Sequence, residues 1–344
     1  MSEGFRTGIV GATGAVGREV LKILESREFR VASVRPFSSA IGRGSHIPFR
    51  GGTLVAEELM AEETFKDLDI VFFAASGQVS RQFVPRALEA GAFVIDNSSH
   101  FRMHADVPLV VPEINGALIR KKMAKRLIAN PNCTTAQMVM ALKPLQDAFG
   151  LKRVVLSSYQ AVSGKGQKGI DEFLFQAEDV LAGRPPEVRQ FPHPIAFNCI
   201  PHVDVFEEEG FTGEEHKVMN ETRKILGDDS IRVSATCVRV PVVNGHSESV
   251  SIETAKPVTP DEARAVLAKM PGVRVVDDPA SSRYPLATDA SGKDEVLVGR
   301  VRPDPSLEEG KHGLLLWIVA DNLRKGAALN AVQIAEKVAE VLKS

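Results

Sequence analysis

Cys133 stands in the stretch Asn130–Pro131–Asn132–Cys133–Thr134–Thr135, where a nucleophile meets a change of backbone. Pro131 biases Asn130 toward an extended conformation. The apolar run Ala136, Met138, Val139, Ala141, Leu142 and Leu145 has helical spacing, so a helix is expected to open at the cysteine. Asn132 or Thr134 is its expected cap. A thiol at that end sits among unsatisfied amide donors at the positive pole of the helix dipole, which favours the nucleophilic thiolate. The same donors suit an oxyanion or a phosphate. The competing role is a small buried hydrophobe. His246, in Gly245–His246–Ser247, is a residue type that exchanges protons near neutral pH, although a lone histidine is more often structural. Strand alternation places Ala235, Cys237, Arg239 and Pro241 on one face, where the charge of Arg239 requires a partner. Glu214 and Lys217, three residues apart, form by themselves no more than a weak surface pair.

These residues need a frame. Thr7–Ile9–Val10 reads as a short buried strand that ends in Gly11–Ala12–Thr13–Gly14–Ala15–Val16–Gly17. The following helix carries Val16, Val20, Leu21, Ile23 and Leu24. Strand, glycine-rich turn and helix are the parts of a dinucleotide-binding unit, here with GxxGxxG spacing. A second strand, Val31–Val34, leads to Arg35, Ser38, Ser39 and Arg43. The acid that would hold the ribose 2′-hydroxyl of NAD is absent there. Arginine and serine donors suit a 2′-phosphate instead, so NADP is expected over NAD. Further strands at Asp69–Ala75, Ala92–Asp96 and Leu127–Ala129, with a helix over Ser80–Glu89, imply a parallel sheet covered on both faces. Cys133 then lies past the carboxyl end of a strand, where such folds place chemistry. Arg102, in the donor-rich stretch Asn97–Arg102, is a candidate phosphate ligand or a surface arginine.

Beyond Gly150 the rhythm changes. Arg153–Gln160 reads as a longer strand leading into the loop Ser163–Gly164–Lys165–Gly166, followed by a helix over Gly169–Leu181. Arg184–Pro201 is expected to be irregular. Strands recur at Ile231–Val242, Ser247–Thr254, Val273–Val276, Glu295–Arg302 and Leu314–Ala320, with few long helices between them. Gly326–Leu342 is a closing helix expected to return to the first domain. A length of 344 residues suits two domains, and 44% apolar with 25% charged residues is ordinary for a globular chain. A formal net charge of −2 offers no field for nucleic acid or a membrane. Cysteines at 133, 199 and 237 form neither a disulfide framework nor a CxxC metal site, so no metal is expected. Met1–Gly8 lacks the pattern of a secretory leader and no apolar stretch is long enough for a membrane span, so a reducing cytoplasm is the expected setting.

Taken in order, GATGAVG, NPNCTT, SSYQAVSG, EEHK, RVPVVNGHSE and DNLRKGAALN give a chain that resembles aspartate-semialdehyde dehydrogenase from Gly8 to the last helix. That resemblance implies an NADPH-dependent reductase making L-aspartate 4-semialdehyde from 4-phospho-L-aspartate, on the route to lysine, methionine and threonine. It implies an α/β fold: an N-terminal Rossmann-like parallel-sheet domain and a C-terminal α+β domain with a mixed sheet. The expected bounds are 1–131 with the C-terminal helix 323–344, and 132–322 for the catalytic and dimerisation domain. By resemblance Cys133 forms the thioester and His246 is the acid–base residue. Gln160 and Arg239 hold the substrate, Glu214 takes its amino group, and Arg102, Asn132 and Lys217 hold phosphate. The cofactor lies against Gly11, Thr13, Gly14, Ala15, Val16 and Gly17, the Ser163–Gly164 loop and Asn322. The loop Arg35–Gly44 departs from the family pattern, which leaves the 2′-phosphate contacts among Arg35, Ser38 and Ser39 unassigned. A homodimer or homotetramer is implied. Two alternatives share parts of the pattern: an N-acetyl-γ-glutamyl-phosphate reductase-like enzyme, which typically has glycine where Asn132 stands, and a non-catalytic paralogue acting as a binding module. The joint presence of Cys133, Gln160, Arg239 and His246 argues against the second.

Overall fold

The computed structural model describes residues 4–27, 29–60 and 64–343, so the first three residues of Met1–Gly8 and the outer domain bounds at 1 and 344 lie outside the described residues. Two compact units divide the chain, Met1–Asn132 with Ala327–Ser344, and Cys133–Gly326.

The first unit opens with β1 (Phe5–Val10), α1 (Ala15–Ser26) and β2 (Val31–Ser38), then a hairpin of β3 (His46–Phe49) and β4 (Gly52–Val55). β5 (Glu57–Glu58), β6 (Ile70–Phe73), α2 (Gly77–Glu89), β7 (Phe93–Asp96), α3 (Pro112–Asn115) and β8 (Leu127–Ala129) follow. Six strands form one all-parallel sheet in the order β5-β2-β1-β6-β7-β8. β6 and β7 are buried at every position, as expected for strands covered on both faces. Gly11 makes the turn out of β1 with φ at +83°, and a Cβ there would meet the Ala74 carbonyl oxygen at 2.3 Å. Only glycine satisfies both demands.

The second unit begins with α4 (Cys133–Phe149), β9 (Leu151–Gln160), α5 (Gln167–Leu181), α6 (Gly213–Leu226), β10 (Arg232–Arg239) and β11 (His246–Thr254). It continues through α7 (Pro260–Leu267), β12 (Val273–Val275), α8 (Ala287–Ala290), β13 (Val296–Pro303) and β14 (His312–Ala320). The chain closes with α9 (Leu329–Lys343), whose Leu329, Val332, Ala335 and Val338 join Ile9, Leu24 and Phe72 in the core of the first unit. The second sheet runs β10-β9-β11-β14-β13-β12 and is mixed, with β9/β10 and β12/β13 parallel and the other pairs antiparallel.

Two local departures from expectation have plain causes. The second strand extends to Ser38, which puts Arg35 inside it, cross-linked to Glu57. Between the later strands lie two well-formed helices, α6 and α7, each opened by a reciprocal capping box, Thr212 with Glu215 and Thr259 with Glu262. That Thr-x-x-Glu signature is legible in sequence. No helix among the described residues is long and apolar enough to cross a membrane.

Candidate active site

Strand register assembles the second unit's site. β9 and β10 run parallel with Gln160 opposite Arg239 and Ser158 opposite Cys237. β11 runs antiparallel to β9 on its other side, with Glu248 opposite Ser158. Since alternate strand residues share a face, His246 and Glu248 look the same way as Ser158, Gln160, Cys237 and Arg239. α4 packs on β9 and β11, and α6 packs on β10 and α4. Six chemistry-bearing side chains therefore occupy one sheet face beneath two helices.

Cys133 is the first residue of the 17-residue α4 and its side chain is only partly buried. The thiol thus lies at the positive end of a long helix, the setting that stabilises a thiolate. Cys237 contrasts with it: buried in the sheet, its thiol is pushed up by burial and then by the neighbouring Glu214. A thiol held that way stays protonated and inert. Cys199 is exposed on the surface.

His246 is fully buried. Its Nδ1 accepts the backbone N–H of Ala161 at 3.1 Å, so the neutral ring carries its proton on Nε2. Nε2 has no partner among the described residues. Burial, and secondarily the Arg239 guanidinium, hold the ring well below the ordinary histidine range. At neutral pH it is an uncharged N–H donor.

Arg239 is 4% exposed. Its Nη1 donates to the Ala161 carbonyl at 2.7 Å, and no carboxylate among the described residues lies within ion-pair distance of it. Burial pulls its pKa down from the ordinary arginine value, while Glu214 and the Cys133 thiolate act in the opposite sense. Gly164 presses on the same guanidinium: a Cβ there would sit 2.6 Å from Nη1 and 3.5 Å from His246 Cε1. Any side chain at 164 would displace the cation. Gln160 Nε2 donates to Glu214 Oε1 at 2.9 Å, and Lys217 Nζ, one turn along α6, reaches Glu214 Oε2 at 3.3 Å and also pairs with Asp204. Asn322 braces the rim, accepting the Gly245 N–H at 3.0 Å and donating to Ser163 Oγ at 2.9 Å.

The structure brings together Gln160, Gly164, Glu214, Arg239 and His246, with Ser163, Lys217 and Asn322 bordering them and Cys133 near enough to act on the Arg239 charge. Arg102, Asn132 and the glycine turn belong to the first unit. There Arg102 is buried and ties two strand ends, donating to the carbonyls of Asn97 at 2.7 Å and Asn130 at 2.9 Å. Asn132 is buried directly before the cysteine. α1 has Gly14 as its N-cap with no side-chain cap, so Thr13, Gly14, Ala15, Val16 and Gly17 present backbone at a helix N-terminus. Arg35, expected near a 2′-phosphate, has its guanidinium engaged with both carboxyl oxygens of Glu57 and with the Thr64 carbonyl. Ser38 is buried, and Arg43 is the more exposed cation of that loop, 3.5 Å from Glu58. Residues not singled out in the sequence are Gln137, the Ala161 backbone and Glu248. Two of them were within reach of pattern: Gln137 is one helical turn from Cys133, and Glu248 is two strand residues from His246.

Two family models match the chain: the semialdehyde dehydrogenase NAD binding domain over residues 6–122, and the semialdehyde dehydrogenase dimerisation domain over residues 142–325. The aspartate-semialdehyde dehydrogenase of Aquifex aeolicus is 52% identical over 334 residues, covering 97% of each chain. Among solved structures, aspartate-semialdehyde dehydrogenase II of Vibrio cholerae complexed with ASA superposes with a TM-score of 0.94 at 45% identity, covering 98% of this chain and 99% of that one. The Candida albicans aspartate-semialdehyde dehydrogenase with NADP matches at a TM-score of 0.77 and 25% identity, covering 98% of both chains.

Proposed function

The chain belongs to the aspartate-semialdehyde dehydrogenase family, and on that premise we propose how its own residues carry the reductive dephosphorylation of 4-phospho-L-aspartate to L-aspartate 4-semialdehyde. One observation carries the assignment of substrate. Arg239 is a buried guanidinium without a carboxylate at ion-pair distance among the described residues, and a buried charge is costly unless paired. The α-carboxylate of an amino acid supplies that partner bidentately. Glu214, held by Gln160, takes the α-ammonium group.

With the substrate so held, the Cys133 thiolate attacks the acyl carbon, the bond from carbon to the phosphate oxygen breaks, and a thioester remains. Arg102, Asn132 and Lys217 hold the departing phosphate. A nicotinamide cofactor, which the Gly11–Gly17 turn would hold, would supply the hydride that reduces the thioester carbon. The oxyanion created there accepts a hydrogen bond from His246 Nε2–H, and its collapse breaks the C–S bond, giving the aldehyde and the thiolate. The resemblance makes His246 the acid–base residue; with Nδ1 occupied by Ala161 N–H, we read the neutral ring as a hydrogen-bond donor. A neutral donor aimed at developing charge acts electrostatically, without any change of protonation.

The first unit fits a dinucleotide. Its glycine turn leaves a cradle that a Cβ would fill, and the N-terminus of α1 is uncapped by any side chain. We assign NADP over NAD because no acid closes β2, while Ser38, Ser39 and Arg43 remain for a 2′-phosphate; Arg35 supports the loop through Glu57. The oligomer implied by the dimerisation domain we read as a homodimer formed on the second sheet's open face, around Tyr159 and Trp317. The acetylglutamyl-phosphate reductase and non-catalytic alternatives have no support among the relatives described above.

Assays with phosphate, either oxidised cofactor and either semialdehyde test these assignments together. L-aspartate 4-semialdehyde with NADP+ should exceed NAD+ in kcat/KM by at least about tenfold, the worth of one charge-assisted contact. Equal use of NAD+, or preference for N-acetyl-glutamate semialdehyde, would contradict them. Arg239→Lys keeps the charge but loses the planar fork, so substrate KM should rise ~10–100-fold with a smaller change in kcat. An unchanged KM would remove Arg239 from the carboxylate site.

A further inference from the structure

Below the reacting groups lies a second pair of polar side chains that the mechanism does not use. Glu248 is fully buried on β11, and neither of its carboxyl oxygens makes a close hydrogen bond among the described residues. Beside it stands the carboxamide of Gln137, also fully buried. Gln137 Nε2 donates to the His246 carbonyl at 3.2 Å, while its Oε1 has no donor among the described residues. We propose that Glu248 is a positioning residue: acting through Gln137, it fixes the first turn of α4, and with it Cys133, against the strand end that carries His246. This rests on the reading of Cys133 and His246 as the reacting pair.

Spacing makes the pair a crossbar. Gln137 lies one helical turn below Cys133, and Glu248 lies two strand residues below His246, so both contacts fall one layer beneath the chemistry. A carboxyl group this deeply buried without a cation is held neutral, and the Gln137 amide is the one side chain that acts on it, as a donor. The surroundings of Glu248 agree: across the sheet it faces Ser158 and Ile318, with the protonated Cys237 thiol one strand further, and no cation acts on it. Burial holds the carboxyl well above the usual carboxylate range. The Gln137 amide N–H thus serves two acceptors, held to the His246 carbonyl at 3.2 Å and acting on the Glu248 carboxyl. An acid where leucine would pack as well is explained by the geometry that a satisfied polar network imposes.

Four variants decide the matter, each assayed for kcat, both KM values, thermal midpoint and the rate of Cys133 alkylation by iodoacetamide in the cofactor-free enzyme. Glu248→Gln keeps an acceptor of the same shape for the Gln137 amide and should stay within about threefold of the parent kcat. Glu248→Leu should lower kcat by ~10–100-fold, the usual effect of a small misplacement, with KM held and alkylation slowed. Its thermal midpoint should be unchanged or higher, because apolar replacement of a buried acid is often stabilising. Gln137→Met should reproduce the kcat loss, and the double variant should be no worse than either single one. A parent-like kcat in Glu248→Leu, a Glu248→Gln variant as impaired as Glu248→Leu, or additive losses would overturn the proposal. If Glu248→Leu fails to fold, Glu248→Gln and Gln137→Met decide alone: a parent-like kcat in Gln137→Met overturns it. Cys133→Ala serves as the control, since turnover in that variant would refute the thioester reading itself rather than the crossbar.

Discussion

Cys133→Ser is expected to lose at least on the order of 10⁴-fold in kcat while keeping its fold and its cofactor binding. Serine presents an alcohol that the helix end cannot bring to an alkoxide at neutral pH, and the energetic gain of splitting the reaction through a thioester disappears with the sulfur. No other cysteine can substitute. Cys237 is buried with its thiol pushed up by that burial, and Cys199 lies on the exposed surface. Cys199→Ala and Cys237→Ala should therefore turn over at nearly the parent rate. Mass spectrometry of enzyme quenched during turnover, without phosphate in the oxidative direction, should find the acyl group on the peptide containing Cys133. An adduct mapped to either other cysteine, or an active Cys133→Ser enzyme, would refute the mechanism.

His246→Ala is expected to lower kcat by ~10²–10³-fold, the usual consequence of deleting one donor to a developing oxyanion. His246→Gln returns an N–H near the position of Nε2 and should recover part of that loss. The pH profile separates this role from that of a proton acceptor. The folded-state pKa of His246 is depressed by burial and by Arg239, so the ring remains neutral as pH falls through the ordinary histidine value of about 6.5. Between about pH 8 and pH 6, then, no fall in kcat should arise from His246 protonation, and the alanine variant should show the parent profile scaled down. A limb near pH 6.5 in the parent that vanishes in His246→Ala would instead establish a titrating base.

Both predictions concern groups that differ in how far their sequence exposed them. Cys133 was legible because proline, cap-forming residues and a helical apolar run surround it, all local signals. α6 was equally legible in Thr212-x-x-Glu215, although the beta-rich rhythm around it hid the box. Arg35 has a partner that local sequence did not show, for a tertiary reason. Its strand ran four residues further than its β-branched core, and its charge met Glu57 on a neighbouring strand.

Local sequence accounts for the strand–turn–helix opening, the strand-rich second half and the helix start at the cysteine. Those follow from short-range constraints: glycine at positive φ, apolar periodicity, caps and the alternation of strand faces. Tertiary structure decided which side chains meet. The parallel pairing of β9 with β10 set Gln160 opposite Arg239, and the antiparallel pairing of β11 set Glu248 opposite Ser158. Only the fold brought the Ala161 N–H, 85 residues distant in the chain, to Nδ1 of His246 and so placed the ring's proton on Nε2. Protonation states and unpaired buried charges depend on what surrounds a group in space, and residues far apart in sequence supply those surroundings.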